Sequence, residues 1–243
     1  MPIIQTQNLL KRFNGVKAVD NFSAEIEKGK VTGIIGPNGS GKTTLINLLS
    51  GVLKFNEGFI IVNGVKLSRI RRYEIPFYGI TRTFQEIRLF EQMPVLDNIL
   101  VEKKKKNIFS SLLEKHKELH LKKAEEVLRK IRLWEKRNDL ALNLSYGQRK
   151  LLEIARATAM NAEIYLLDEP FAGLYPEMRK IISEIIKELR QEGKTIILIE
   201  HNMDLIRELC DNLIVMDAGK LFAQGNPNEV LNKKEVLQAY LGE

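Results

Sequence analysis

Apolar and polar residues alternate along residues 3–35, with turn signals at Asn14-Gly15 and Lys28-Gly29. Period-two alternation between such dipeptides predicts short strands around a hairpin. Val31-Thr32-Gly33-Ile34-Ile35 predicts a short buried strand, and residues 44–50, with Leu45, Ile46, Leu48 and Leu49, predict an apolar helix start. A further strand is predicted over 58–62 with a hairpin turn at Asn63-Gly64, and a short strand over 80–84. From about residue 95 to 133 the pattern turns helical and charged, with few β-branched clusters. Continuous apolar runs return at 164–167 and 195–200, which suits parallel strands buried on both faces. A helix over about 176–191 joins these two runs into a βαβ unit. A last hairpin over 213–224 turns at Asp217-Ala218-Gly219, and two short helices follow it. The pattern predicts an α/β core with an antiparallel β portion near the amino end and a helical subdomain inserted between two parts of the sheet. The boundaries expected are 1–85 and 160–243 for the core and about 86–159 for the subdomain, all within a single domain.

Composition narrows the classes. The chain has 243 residues, 44% hydrophobic and 28% charged, which is ordinary for a globular protein. The single cysteine, Cys210, excludes an intrachain disulfide and suits a reducing compartment. Residues 1–10 lack a basic start followed by a long apolar run, so no secretory signal is expected. No window holds the ~18 uncharged apolar residues of a membrane span. The net charge of +7 draws much of its excess from the middle block, including the lysine run at 103–106. No aromatics interleave with that run, so the stacking surface of a single-strand binder is missing and no nucleic-acid partner is expected. A solvated helical face is the reading favoured for the charge, with attraction to an anionic membrane surface as the alternative.

The candidate chemistry begins with Gly36-Pro37-Asn38-Gly39-Ser40-Gly41-Lys42-Thr43, which fits the phosphate-binding pattern G-x-x-x-x-G-K-[ST] between a predicted strand and a predicted helix. Glycines let the backbone wrap a phosphate, and amides at the helix N-terminus point at it. Lys42 is expected to reach the β- and γ-phosphates, and the Thr43 hydroxyl to hold Mg²⁺. Leu166-Leu167-Asp168-Glu169-Pro170 lies at the C-terminal end of a predicted buried strand, where ligands bind in open α/β sheets. Asp168 is the candidate Mg²⁺ ligand and Glu169 the candidate for polarising an attacking water. Leu144-Ser145-Tyr146-Gly147-Gln148 precedes an amphipathic helix, which makes a second phosphate-seeking terminus. One nucleotide does not need two such termini from one subunit, so the second suggests a nucleotide held by another copy.

Together these residues resemble the ATP-binding cassette (ABC) ATPases, over essentially the whole chain. LSYGQ is similar to that family's signature motif, usually LSGGQ, and GPNGSGKT to its Walker A loop, with Thr44 beside it on the phosphates. The resemblance implies a P-loop NTPase fold and adds roles. Phe13 matches the aromatic that stacks on adenine. Gln85, in Thr83-Phe84-Gln85, matches the loop glutamine that senses Mg²⁺ and the transport partner. Asp168 and Glu169 match the Walker B aspartate and the catalytic glutamate, and His201 the switch histidine on the γ-phosphate. Ser145, Gly147 and Gln148 match signature residues that cap the γ-phosphate of a nucleotide bound across a dimer. Two positions depart from the pattern: Tyr146 replaces a signature glycine, and Tyr175 stands where the loop usually ends in aspartate.

A narrower resemblance links residues 82–90 (RTFQEIRLF), LSYGQRKLLEIARA, Glu200-His201-Asn202-Met203-Asp204 and Ala239-Tyr240-Leu241-Gly242 to the ATP-binding subunits of branched-chain amino acid importers. The lipopolysaccharide-export ATPase is similar at 168–173 and at the tail, and a soluble ABC ATPase is a further alternative. What the resemblance implies is an ATPase that uses ATP and Mg²⁺, releases ADP and drives solute transport. Its partners would be a second ATPase subunit, identical or a paralogue, and transmembrane permease subunits. Its expected place is the cytoplasmic face of the membrane, with no transmembrane segment of its own.

Overall fold

A computed structural model describes residues 1–101 and 113–241, so the lysine run at 103–106 and Gly242 lie outside the described residues. The chain forms two compact units. The first comprises Met1–Arg82, Ala162–Glu169 and Ile186–Glu243; the second comprises Thr83–Asn161 and Pro170–Ile185. The sequence division assigned 170–185 to the core, whereas the Cα packing groups that stretch with the helical unit.

The first unit holds two sheets. Strands β1 (Pro2–Phe13), β2 (Val16–Glu27), β4 (Glu57–Val62) and β5 (Val65–Leu67) form an antiparallel sheet in the order β2-β1-β4-β5. β1 and β2 are twelve residues each, longer than the short strands expected. Their alternation is broken because the pairing slips at bulges between Thr6 and Leu9 and again before Lys11, with Asn8 at φ 48° and Asn21 at φ 51°. Each slip changes which side chains face inward, so one long strand reads as several short ones. The second sheet contains β3 (Val31–Ile35), β6 (Ile80–Arg82), β7 (Ile164–Asp168), β8 (Thr195–Ile199), β9 (Asn212–Asp217) and β10 (Lys220–Gly225), in the order β10-β9-β3-β8-β7-β6. Only the β9–β10 pair is antiparallel. All residues of β3, β7 and β8 are buried, as their unbroken apolar runs predict.

Helix α1 (Lys42–Leu49) buries Leu45, Ile46, Leu48 and Leu49 in a core shared with Ile4, Leu9, Phe22 and Ile60 of the antiparallel sheet and Ile34, Leu166 and Ile197 of the parallel one. Four buried aliphatic side chains contribute about 6–12 kcal/mol of transfer free energy. That fixes the helix start, and with it the glycine loop after β3. Near the carboxyl end, α6 (Met203–Leu209), α7 (Pro227–Val230) and α8 (Lys234–Leu241) complete the described residues.

The second unit is built from α2 (Val95–Leu100), α3 (Leu113–Lys130) and α4 (Tyr146–Ala159), with short 3₁₀ turns at Trp134–Lys136 and Ala141–Asn143. Its buried Asn98 staples the turn before α2: the side-chain amide donates to the carbonyls of Phe90 and Pro94 and accepts from the Phe90 amide at 2.9 Å. Helix α5 (Pro176–Gln191) starts at a proline and ends before Gly193. It connects β7 to β8, which pair in parallel.

Candidate functional site

The glycine loop leaves the C-terminal end of β3, Asp168 and Glu169 close β7, and His201 follows β8. β8 lies between β3 and β7 in the sheet, so topology gathers the three segments at one edge, where open α/β sheets bind ligands.

The loop is built to wrap something small. A Cβ at Gly36 would stand 2.2 Å from the Met216 carbonyl oxygen, and one at Gly41 would stand 2.2 Å from that of Ala18. Both positions must therefore be glycine, and the backbone of β2 and β9 brackets the loop from behind. Gly39, at φ 83°, has open space where its Cβ would be. Ser40 Oγ is buried with no hydrogen-bond partner among the described residues. Its carbonyl accepts from Gly219 N–H at 3.0 Å, which ties the loop to the β9–β10 turn. Helix α1 starts at Gly41 in the left-handed region with no side-chain cap and no acid in its first turn. Its positive end and orphan amides are therefore available to an anion. These observations fit a phosphate. Thr43 is exposed and Thr44 half-buried on that first turn.

Lys42 is buried, and its ammonium donates to the carbonyls of Gly36 at 2.7 Å and Pro37 at 3.0 Å. Burial pushes its pKa down, against the pull of the Glu169 and Asp168 carboxylates. Lysine and carboxylates thus sit within each other's field. Asp168 is almost fully buried and its Oδ2 lies 3.0 Å from Arg82 Nη2. Arg82 Nη1 also donates to Asn47 Oδ1 at 2.6 Å and Ser50 Oγ at 2.7 Å, both on the α1 segment. Glu169 adopts φ 48°, an uncommon conformation for a non-glycine residue, and its amide donates to the Ile199 carbonyl at 3.1 Å. Its Oε1 lies 3.0 Å from His201 Nε2. Phe13 ends β1 as an exposed ring with the Lys11 ammonium 4.8 Å from its centroid.

The other predicted residues lie in the helical unit. Ser145 caps α4 reciprocally: its hydroxyl accepts from Gln148 N–H at 3.3 Å, and the Gln148 side-chain oxygen accepts from Ser145 N–H at 3.1 Å. Lys136 Nζ reaches the same oxygen at 3.4 Å. A Cβ at Gly147 would stand 2.3 Å from Met178 Sδ, so the Met178 side chain would have to shift to admit one. A Cβ at Gly173 would stand 3.1 Å from the Tyr146 ring. The exposed Tyr175 has a carbonyl that accepts from Met178 and Arg179 N–H. Gln85 is exposed in an irregular stretch, and its carbonyl accepts from Lys150 Nζ at 3.4 Å.

Sequence reasoning missed Arg82. It lies in the quoted RTFQ stretch, but only the pairing of β6 with β7, 84 residues apart at Ile80 and Ile164, brings it to Asp168. Among the described residues no cluster of three or more His, Cys, Asp or Glu side chains is placed to hold a metal on its own. Likewise no helix is long and apolar enough to cross a membrane.

Known proteins share the fold. Residues 19–172 match the family described as ABC transporter. The chain is 40% identical to the high-affinity branched-chain amino acid transport ATP-binding protein LivG of Salmonella typhimurium, over 100% of this chain and 98% of that one. It is similar to the crystal structure of the ADP conformation of MJ1267, an ATP-binding cassette of an ABC transporter, with 36% identity, TM-score 0.85 and full coverage of both chains. It is also similar, at 26% identity and TM-score 0.79, to a dimeric post-hydrolysis state of the cassette MJ0796 bound to ADP and Pi, over 92% of this chain and 98% of that one.

Proposed function

The chain belongs to the ABC transporter family, and on that premise we propose that it is the ATP-binding and ATP-hydrolysing subunit of a transporter that imports branched-chain amino acids. The observation that carries the reading is the gathering of Lys42, Asp168, Glu169 and His201 at the C-terminal ends of three adjacent strands, in a chain similar to LivG over the full length of both.

In this reading the loop amides of residues 36–41, with Thr43 and Thr44, bind the phosphates, and Phe13 stacks on adenine. The Lys42 ammonium exchanges its contacts with the Gly36 and Pro37 carbonyls for β- and γ-phosphate oxygens, a charge-assisted exchange that favours the nucleotide. Thr43 and Asp168 are the residues that would hold Mg²⁺. Bound there with the phosphates, the ion would neutralise charge developing on the transferred group. One carboxylate and a hydroxyl suffice, since Mg²⁺ usually keeps waters and phosphate oxygens as its other ligands.

Glu169 orients the attacking water and accepts its proton. His201 Nε2, carrying a proton, donates to Glu169 Oε1 and holds the carboxylate in one rotamer. Catalysis here is positioning and charge stabilisation. Ser145, Gly147 and Gln148, at the capped start of α4, meet the γ-phosphate of a nucleotide held by a second copy or a paralogue. The dimeric cassette with ADP and Pi supports that arrangement.

The subunit works at the cytoplasmic face of the membrane through permease subunits. Phe90 is exposed beside the turn stapled by Asn98, and Leu142, also exposed, has its amide bonded to the Glu91 carbonyl. An apolar surface of this kind suits a partner contact. The reading is tested by co-expressing the chain with its membrane subunits and reconstituting the complex in vesicles. ATP-driven uptake of leucine, isoleucine and valine is expected, and it should disappear with Lys42→Ala. ATP turnover with uptake of none of the three would move the assignment to another solute.

A further inference from the structure

Helix α4 carries Lys150, Glu153 and Arg156 at intervals of three, so the three share one face. Two of them are buried as deeply as its leucines: the Lys150 side chain is 0% exposed and that of Glu153 2%, with 3.9 Å between ammonium and carboxylate. A pair so buried contributes less to stability than apolar residues of the same size would. Both are spent on the backbone of one irregular segment. Lys150 Nζ donates to the carbonyls of Phe84 at 3.1 Å and Gln85 at 3.4 Å. Glu153 Oε1 accepts from Arg88 N–H at 3.1 Å. Arg156 Nη2 donates to the Arg88 carbonyl, and its guanidinium lies 5.6 Å from the centre of the Phe90 ring. Residues 83–90 belong to no helix or strand, so their peptide groups have no ladder to satisfy them. The side chains of α4 take that place.

The same helix begins at the Ser145–Gln148 capping box. We propose that Lys150, Glu153 and Arg156 are positioning residues that clamp residues 84–90 to α4. The helix end that meets the second nucleotide and the segment that carries Gln85 and Phe90 then move as one body. This rests on the role given above to Ser145 and Gly147. The clamp holds the segment through hydrogen bonds to main chain, which side-chain repacking cannot replace.

Hydrogen exchange on the full chain, with and without Mg²⁺ and a non-hydrolysable ATP analogue, tests it. In the wild type the analogue should raise protection at residues 146–149 and at 84–90 together. In the double variant Lys150→Met/Glu153→Gln, which removes both buried charges, 146–149 should still respond. Protection at 84–90 should fall by roughly ten- to a hundredfold, the loss expected for a charge-assisted hydrogen bond, and should no longer respond to the analogue. A purely structural role lowers protection at 84–90 but keeps the gain on nucleotide binding, and that result would overturn the proposal. In the reconstituted complex the variant should hydrolyse ATP while moving less solute per ATP. Arg156 is only half-buried, so Arg156→Met keeps the test alive if the double variant does not fold. It should uncouple Arg88 to Phe90 in the same sense, and an unchanged gain there also counts against the clamp. A wild type with no response at 146–149 overturns the functional reading itself, and the clamp with it.

Discussion

Replacing Arg82 with methionine removes a guanidinium whose two terminal nitrogens bond Asp168, Asn47 and Ser50, where the Arg82 and Asp168 side chains are 6% and 2% exposed. Breaking a buried pair by deleting one partner costs about 3–5 kcal/mol, because the remaining charge stays buried. At roughly 2–4 °C per kcal/mol for a chain of this size, Tm should fall by about 6–20 °C. The loss should depend on the ligand. Asp168 is the proposed Mg²⁺ residue, so a divalent ion arriving with ATP returns positive charge beside the carboxylate. Mg²⁺ with ATP should therefore recover more of the lost Tm than ATP with EDTA, and the difference should be larger in the variant than in the wild type. Thermal unfolding under the two conditions measures this. Combining the change with Asp168→Asn closes a double-mutant cycle, and the double variant should be more stable than Arg82→Met alone. An Arg82→Met protein within about 1 kcal/mol of wild type, or a double variant no better than the single, would refute the reasoning.

Lys42→Ala should weaken ATP binding by roughly a hundredfold or more, as two charge-assisted hydrogen bonds of about 1.5–3 kcal/mol each are lost, and calorimetry decides this. Phe90→Asp should leave ATP affinity and thermal unfolding of the isolated subunit near wild type but abolish co-purification with the permease subunits. Full retention of the complex would place the docking surface elsewhere. Cys210 is buried and its thiol is pushed up to about 12, chiefly by desolvation. Because the folded pKa exceeds the unfolded one, this contribution to stability is complete below the unfolded thiol's pKa and is lost as pH climbs towards the folded value. At pH 8 a thiol reagent should therefore label Cys210 only as fast as the protein opens, and rapid labelling of the native protein would contradict the burial.

Much of this site could be read from the sequence because its parts are local. The phosphate loop is legible since residues 36–43 must satisfy one anion with consecutive amides, and that fixes spacing and residue type. α5 was legible at both ends, since proline opens it and Gly193 follows it. β7 and β8 followed from unbroken apolar runs. The unread features depend on chain segments far apart in sequence. Arg82 resembles any strand-end arginine until β6 pairs with β7. Lys150 and Glu153 carry no signal of burial in the sequence, because charges on an amphipathic helix ordinarily face solvent. They are buried because residues 84–88 wrap over them. The bulges in β1 and β2 concealed two long strands for a related reason: register slips erase the period-two signal that strand recognition depends on.

The central claim is that this chain hydrolyses ATP with Glu169 as the group that polarises water. Phosphate release by wild type and by Glu169→Gln, at an ATP concentration that saturates both, tests it directly. The amide keeps the size of the side chain and its contact with His201 but cannot accept the proton from water. The account predicts unchanged ATP affinity and a turnover lower by about 10²–10⁴-fold, the usual worth of a general base. A Glu169→Gln protein that releases phosphate at the wild-type rate would contradict it.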